Sequence, residues 1–366
     1  MGLRSVGVEE ELLLVDPVGG EALAVASAVL HKATVHGEEP AGEVLTSELA
    51  RQQIETNTRP CTSLDELGSE LRRSRQAAAE AAESSGAQVV ALATSPLPVV
   101  PSITSTPRYR KMVEKFGIIA EQQLTCACHI HVEVSSDEEA VAVLDRIRGW
   151  LPVLLALSGN SPFWQGEDTG YASFRSQVWH RWPSAGPTEL FGSAEHYHAT
   201  VRAMIESGTL LDEGMIYFDA RLSQNFPTVE VRVADVCLYP DDAVLLAGLT
   251  RALVETAAQA WKEDQPPIPL RVELLRLAGW RAARSGLDGS LINAAGGPAP
   301  ARRVVGALLE HVTPALQEYG EYDVVQDLTD ALLGRGNGSM LQREVCRRGG
   351  SLADVVAYAV ARSVVQ

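Results

Sequence analysis

The chain has 366 residues and 46% hydrophobic content, enough for a large core and long enough for two domains. Its 31 Lys and Arg face 47 Asp and Glu, a formal net charge of −16, which argues against a nucleic-acid partner and suits a site that collects divalent cations. Five cysteines lie without disulfide spacing, Val6-Gly7-Val8 begins too early to leave room for a signal peptide, and the apolar stretch Leu151–Leu157 is too short for a bilayer, so a cytoplasmic protein with no membrane partner is expected.

Ser5–Val15 reads as a strand, and it carries Glu9, Glu10 and Glu11 inside an apolar run. Strand alternation puts Glu9 and Glu11 on one face and Glu10 on the other. Two buried neighbouring carboxylates require a cation, whereas an edge strand with solvated glutamates would give the same spacing. Thr46-Ser47-Glu48 through Glu55 reads as helix, with Glu48 and Glu55 on one stripe and Gln52 between them; an ordinary wet helix face competes with a functional role. Ser63 with Glu66 opens an Ala/Arg/Glu-rich helix that stops near Gly86, and Gln88–Thr94 reads as a strand.

Thr125–Val134 alternates again. Cys126, Cys128, Ile130, Val132 and Val134 take one face, and His129, His131 and Glu133 the other. Thiols and imidazoles pointing apart argue against a Cys/His zinc site and leave imidazole open as a ligand for another divalent metal. Ser136 with Glu139 opens a helix toward Ser158. Met215–Leu222 and Thr228–Val236 flank Ser223-Gln224-Asn225-Phe226-Pro227, a hairpin whose second strand puts Glu230 and Arg232 on one face, opposite Val229, Val231 and Val233. That pair reads as a cross-strand ion pair or as a metal-bridging Glu beside a phosphate-facing Arg. Pro240-Asp241-Asp242 opens a further helix, and the chain beyond is almost wholly helical. The pattern predicts one α+β domain over residues 1–366, an antiparallel sheet with helices packed against it.

Several segments resemble the type 2 glutamate–cysteine ligase family, also called carboxylate–amine ligases. They are Gly7-Val8-Glu9-Glu10-Glu11, the His129-Ile130-His131 strand, Glu230-Val231-Arg232-Val233-Ala234-Asp235, and Ser158-Gly159-Asn160-Ser161-Pro162-Phe163-Trp164. To these add Gly166-Glu167-Asp168-Thr169-Gly170-Tyr171, Ser173-Phe174-Arg175-Ser176-Gln177-Val178-Trp179, Trp280-Arg281-Ala282-Ala283-Arg284 and Arg335-Gly336-Asn337-Gly338, so the resemblance spans nearly the whole chain. It implies a glutamine-synthetase-like fold, a curved antiparallel sheet forming a funnel with helices outside. It also implies two or three Mg2+ ions held by Glu9, Glu11, Glu48, Glu55, His129 and Glu230 around ATP as cosubstrate. Arg232 would face the transferred phosphate, with Glu230 its catalytic partner. Arg175, Asn160 and Arg108 would neighbour the substrate, and Arg221 and Asp219 the nucleotide.

Two positions depart from the family's pattern. Cys126-Ala127-Cys128 leads into His129 where a glycine-containing lead is common, and Ser95 stands where a histidine is expected; both bear on the acceptor pocket. The implied reaction activates a carboxylate, glutamate first, as an acyl phosphate and joins it to cysteine or another amine. No nucleophile triad and no Gly-rich Lys loop is evident, and Arg335-Gly336-Asn337-Gly338 reads as a phosphate contact or a plain loop. A metal-dependent phosphate-ester hydrolase and a noncatalytic binding module are the competing classes; the partners are small molecules, and a homodimer is compatible with such an enzyme.

Overall fold

The computed structural model describes residues 3–36, 45–293 and 296–364. The strand read at Ser5–Val15 is β1 (Val6–Val15). It is followed by β2 (Leu45–Ser47), β3 (Gln53–Asn57), β4 (Gln88–Val90), β5 (Ala127–Glu133), β6 (Ala220–Leu222) and β7 (Thr228–Asp235). These seven strands form one open antiparallel sheet in the order β2-β3-β1-β5-β7-β6; β4 pairs with the end of β1. Leu13 sits opposite Gln53 on one side and Val90 on the other, so β4 takes over the edge that β5 leaves. β1 is therefore central, which rules out the edge strand with solvated glutamates.

One face of the sheet is the core. Val6 and Val8, Cys128, Ile130 and Val132, and Val229 and Val231 pack against helices Asp137–Ile147, Leu151–Ser158 and Pro240–Lys262. Farther along β1, Leu12 and Leu14 join a second cluster with helices Leu64–Glu83 and Leu352–Ser363. Each fully buried aliphatic side chain contributes about 1.5–3 kcal/mol, so these faces set the strand orientation. Glu10 lies on this same buried face, fully enclosed, where its carboxylate accepts two hydrogen bonds from Arg75, at 2.8 and 2.6 Å. Arg75 spends its remaining donors on the carbonyls of Cys237, Leu238 and Ser363.

Several boundaries differ from the sequence reading. The helix begun at Ser136 breaks in two around Gly149, because Pro152 is confined to the first turn of the second helix. The stretch at Glu48–Glu55 is no helix: β2 and β3 pair antiparallel, with Thr46 opposite Glu55, and Glu48 sits in the connection. Its β-branched and apolar residues pair with β1, and that tertiary pairing overrides the seven-residue spacing. The segment Arg335-Gly336-Asn337-Gly338 is a turn between helices Tyr322–Arg335 and Gly338–Arg347. Gly336 has φ +91° and the Asn337 side chain caps the second helix. Its alternative as a phosphate contact has no support, since Arg335 pairs with Asp242 at 2.6 Å and stacks on Tyr239. Among the described residues, no helix is long and apolar enough to cross a membrane.

Candidate active site

The face of the sheet away from the core carries the acids, and register explains how they meet. Across the central strands Glu11 is opposite Glu55, Glu9 opposite His129, and His131 opposite Glu230, which in turn faces Arg221 on β6. Directly paired residues share a face. The result is a floor of carboxylate, imidazole and guanidinium groups in a cavity of about 370 Å³. The cavity is lined by Glu9, Glu11, Glu48, Glu55, His129, Glu230, Arg108, Arg221 and Arg232, all named from the sequence, and also by His131.

The five carboxylates fall into two electrostatic classes. Glu230 lies against Arg221, at 2.6 Å, and against Arg232; burial raises its proton affinity, but the two guanidinium groups outweigh it and hold the carboxyl well below the usual range. Glu9 behaves alike: His129 Nδ1 at 3.3 Å and His131 Nε2 at 3.2 Å overcome the desolvation. His129 itself is pulled down to about 4, by burial first and by Arg232 second, so at neutral pH it offers a free lone pair. His131 Nδ1 is tied to Thr228 Oγ1 at 3.0 Å, which aims Nε2 at Glu9 and the cavity.

Glu11, Glu48 and Glu55 form the other class. Among the described residues none of the three enters an ion pair. Burial first, and then a neighbouring carboxylate (Glu55 for Glu11 and Glu48, Glu9 for Glu55), pushes all of them upward, Glu11 to about 7 against the opposing pull of Arg175 and Arg232, and Glu48 well above the carboxylate range. Thr46 Oγ1 at 2.9 Å and Asn57 Nδ2 at 3.3 Å donate to Glu55, and the Ala127 N–H donates to Glu11 at 2.7 Å. Three converging carboxyls with no ion-pair partner among the described residues could hold a hard cation. Ligand atoms of Glu11, Glu48 and Glu55 lie within 4.8 Å of one another, as do those of Glu9, Glu55 and His129, and of Glu9, His131 and Glu230.

Arg232 reaches this cavity through an irregularity in β7. Pairing with β5 shifts register between Cys128 and Ile130, so one extra β7 residue stands opposite His129. Bulges of this kind re-aim a side chain next to a site. The carbonyls of Arg232 and Val233 fall at the bulge, and Arg175 donates to both at 3.2 Å. Arg175 is almost fully enclosed, 3.8 Å from Asp235, and both Arg175 and Arg232 lie over the Trp179 ring. In this structure its guanidinium is a clamp on the bulge, with no face on the acid-lined cavity.

Asn160 is likewise structural. Its Nδ2 donates to the carbonyls of Ala91 and Val236, its Oδ1 accepts from Gln342, and its N–H donates to Asp235. Ser161 and Ser173 also donate to Asp235, each at 2.7 Å, so the motif residues 158–161 and 173–175 form one buried hub behind β7. Asp219 does not line the acid cavity with Arg221; it faces a second cavity of about 390 Å³ that meets the first at Trp179, Trp182 and Arg232. Arg108 stands on the rim, paired with Asp212 at 2.8 Å. The residue omitted from the sequence-derived metal set was His131, although the strand alternation that placed His129 placed it on the same face.

Residues 5–358 match the model of glutamate–cysteine ligase family 2. A Streptomyces avermitilis protein provisionally named glutamate–cysteine ligase 2-1 is 55% identical over 363 residues, 98% of this chain and 99% of its own length. A Streptomyces coelicolor relative, provisionally named glutamate–cysteine ligase 2, is 54% identical over 366 residues, with 99% of each chain covered. Among solved structures, the glutamate–cysteine ligase of Francisella tularensis in complex with AMP superposes with a TM-score of 0.71 at 14% identity, covering 100% of this chain and 90% of that one. At that identity the likeness concerns the fold.

Proposed function

Because the chain belongs to glutamate–cysteine ligase family 2, whose members are ATP-dependent carbon–nitrogen ligases, we propose that it activates a carboxylate, with glutamate the first candidate, as an acyl phosphate and transfers it to an amine. The observation that carries the reading is the converging carboxylate trio Glu11, Glu48 and Glu55, none with an ion-pair partner among the described residues, beside two Glu/His sets on one floor. The all-oxygen trio fits Mg2+, and so do the mixed sets through Glu9, Glu55, Glu230, His129 and His131. Mg2+ bound there would neutralise phosphate charge around ATP.

The chain's own groups supply the rest. Attack by the substrate carboxylate on the γ-phosphorus needs cationic donors where phosphoryl charge builds, and Arg232 stands at that edge of the cavity, held in place by Glu230 and the bulge. Arg221 braces Glu230 from the other side. Phe226, itself 59% exposed, lines the cavity edge-on to His131, with ring centroids 6.1 Å apart. No side-chain nucleophile is needed, since ADP leaves in the first step and inorganic phosphate in the second.

The test is ADP release from ATP with Mg2+ and glutamate, with and without cysteine and a panel of other amines, followed by mass spectrometry. Amine-dependent ADP release with a product lighter than its two substrates by one water supports the ligase. ADP release with no adduct under any amine overturns it in favour of a hydrolase.

A further inference from the structure

The second cavity, past Arg232, runs against the charge of the chain as a whole. Four arginines line it, Arg175, Arg181, Arg232 and Arg276, with His180 beside them and Asp219 the single acid, in a protein of formal net charge −16. We propose that it receives the carboxylate donor, and that the donor is an aromatic acid with a second anionic group at its far end rather than glutamate; this rests on the ligase reading above. The volume of about 390 Å³ falls in the range of pockets that enclose drug-sized ligands.

The cations divide by what they already hold. Arg175 gives its two terminal nitrogens to the carbonyls of Val233 and Arg232, and Arg232 leans on Glu230. Arg181 and Arg276 are exposed and, among the described residues, enter no ion pair. Arg181 donates to the Gln122 side chain at 3.2 Å, and Glu273, close to Arg276, is held by Arg271 at 2.8 Å. Asp219 stands 3.8 Å from His180 Nε2. An anionic group is therefore favoured by two exposed guanidinium groups on this side, and an ammonium group is repelled.

The remaining wall is aromatic. Trp182 and Phe218 are buried, and Trp280 lines the cavity with its ring 48% exposed, which offers a flat face to a flat ligand. Arg232 lines both cavities. ATP belongs on the acid floor, where divalent cations would screen its phosphates, so the organic anion left for this side is the donor, its reacting carboxylate at Arg232 and its ring against the indoles. In the first step a carboxylate oxygen bonds the γ-phosphorus and the bond from that phosphorus to the bridging oxygen of ADP breaks. The products are an acyl phosphate dianion and ADP.

Hydroxylamine reads this step without any choice of amine. Its nitrogen lone pair bonds the acyl carbon, the carbon–oxygen bond to phosphate breaks, and a hydroxamate and hydrogen phosphate result. With ATP and Mg2+, kcat/KM for hydroxamate formation from p-phenylenediacetate is expected to exceed that from glutamate by about tenfold or more, from the added apolar burial, with phenylacetate between them. Trp280→Ala lowers kcat/KM about two- to tenfold for both aromatic acids through the lost ring contact, while the value for glutamate holds. Arg276→Gln lowers it up to about fivefold for p-phenylenediacetate alone, the reach of one exposed charge contact. Glutamate turned over as well as the aromatic acids, or better, overturns the proposal and leaves the ligase reading standing. A rise in KM for ATP that matches the rise for the acid in either variant also overturns it, since the cavity then holds the nucleotide. Absence of hydroxamate and of ADP release with every acid, glutamate included, overturns the ligase reading and the proposal with it.

Discussion

Replacing Glu11 with Gln is expected to stabilise the metal-free protein at pH 8 and to weaken its response to Mg2+. Burial and the neighbouring Glu55 push the Glu11 carboxyl up to about 7 from 4.5. A tenfold change in proton affinity is worth about 1.4 kcal/mol, so the ionised group costs the fold about 3 kcal/mol, a ceiling that water entering the cavity lowers. An acid whose folded-state pKa is raised binds its proton more tightly folded than unfolded. Its penalty is therefore absent below pH 4.5, grows between pH 4.5 and about 7, and levels off above. Gln removes the charge and keeps an oxygen for the Ala127 N–H that Glu11 now accepts. Urea unfolding with a chelator at pH 4.5 and pH 8 reads the difference: about 2–3 kcal/mol in favour of the variant at pH 8, and little at pH 4.5. With Mg2+ at about a hundred times its Kd, the wild type gains about 2.7 kcal/mol and the variant distinctly less. A variant less stable than wild type at both pH values, or one that Mg2+ stabilises equally, refutes the view that the trio is a cation site held against its own repulsion.

Glu10→Gln is expected to destabilise by about 3–5 kcal/mol, because Arg75 would keep a buried charge without its counter-ion; urea unfolding measures it, with Mg2+ dependence unchanged as the sign that Glu10 lies outside the site. Arg175→Met should lower kcat about a hundredfold by letting the bulge and Arg232 shift, with KM for the carboxylate nearly constant and partial recovery in Arg175→Lys. A large rise in that KM with kcat retained would instead mean direct contact with the carboxylate. His131→Ala should weaken Mg2+ binding about 10- to 100-fold, read by isothermal titration; wild-type affinity would remove His131 from the ligand set.

Alternation made much of the site legible before any fold was known. Glu9 and Glu11 against Glu10, His129 and His131 against Cys128 and Ile130, and Glu230 and Arg232 against Val229 and Val231 all lie on the faces expected from a period of two. The helical reading of Glu48–Glu55 failed because seven residues fit two helical turns as readily as a turn and a short strand, and only pairing of β3 with β1 decides between them. Arg175 and Asn160 sit in motifs that marked the right segment, yet their side chains point to backbone and to Asp235. A motif records that a residue matters, and burial decides whether it matters to substrate or to scaffold.

The sequence by itself determined which side chains share a strand face, because side-chain direction along a strand is a local property of the backbone. It also carried the family, whose motifs are spread over the whole chain. Tertiary structure alone decided which faces meet. Strand order set Glu11 against Glu55 and His131 against Glu230, the helix Leu64–Glu83 brought Arg75 to Glu10, and the β7 bulge put Arg232 between two cavities of opposite character. These are contacts between residues tens to hundreds of positions apart, chosen by the burial of whole apolar faces, and no local pattern encodes them.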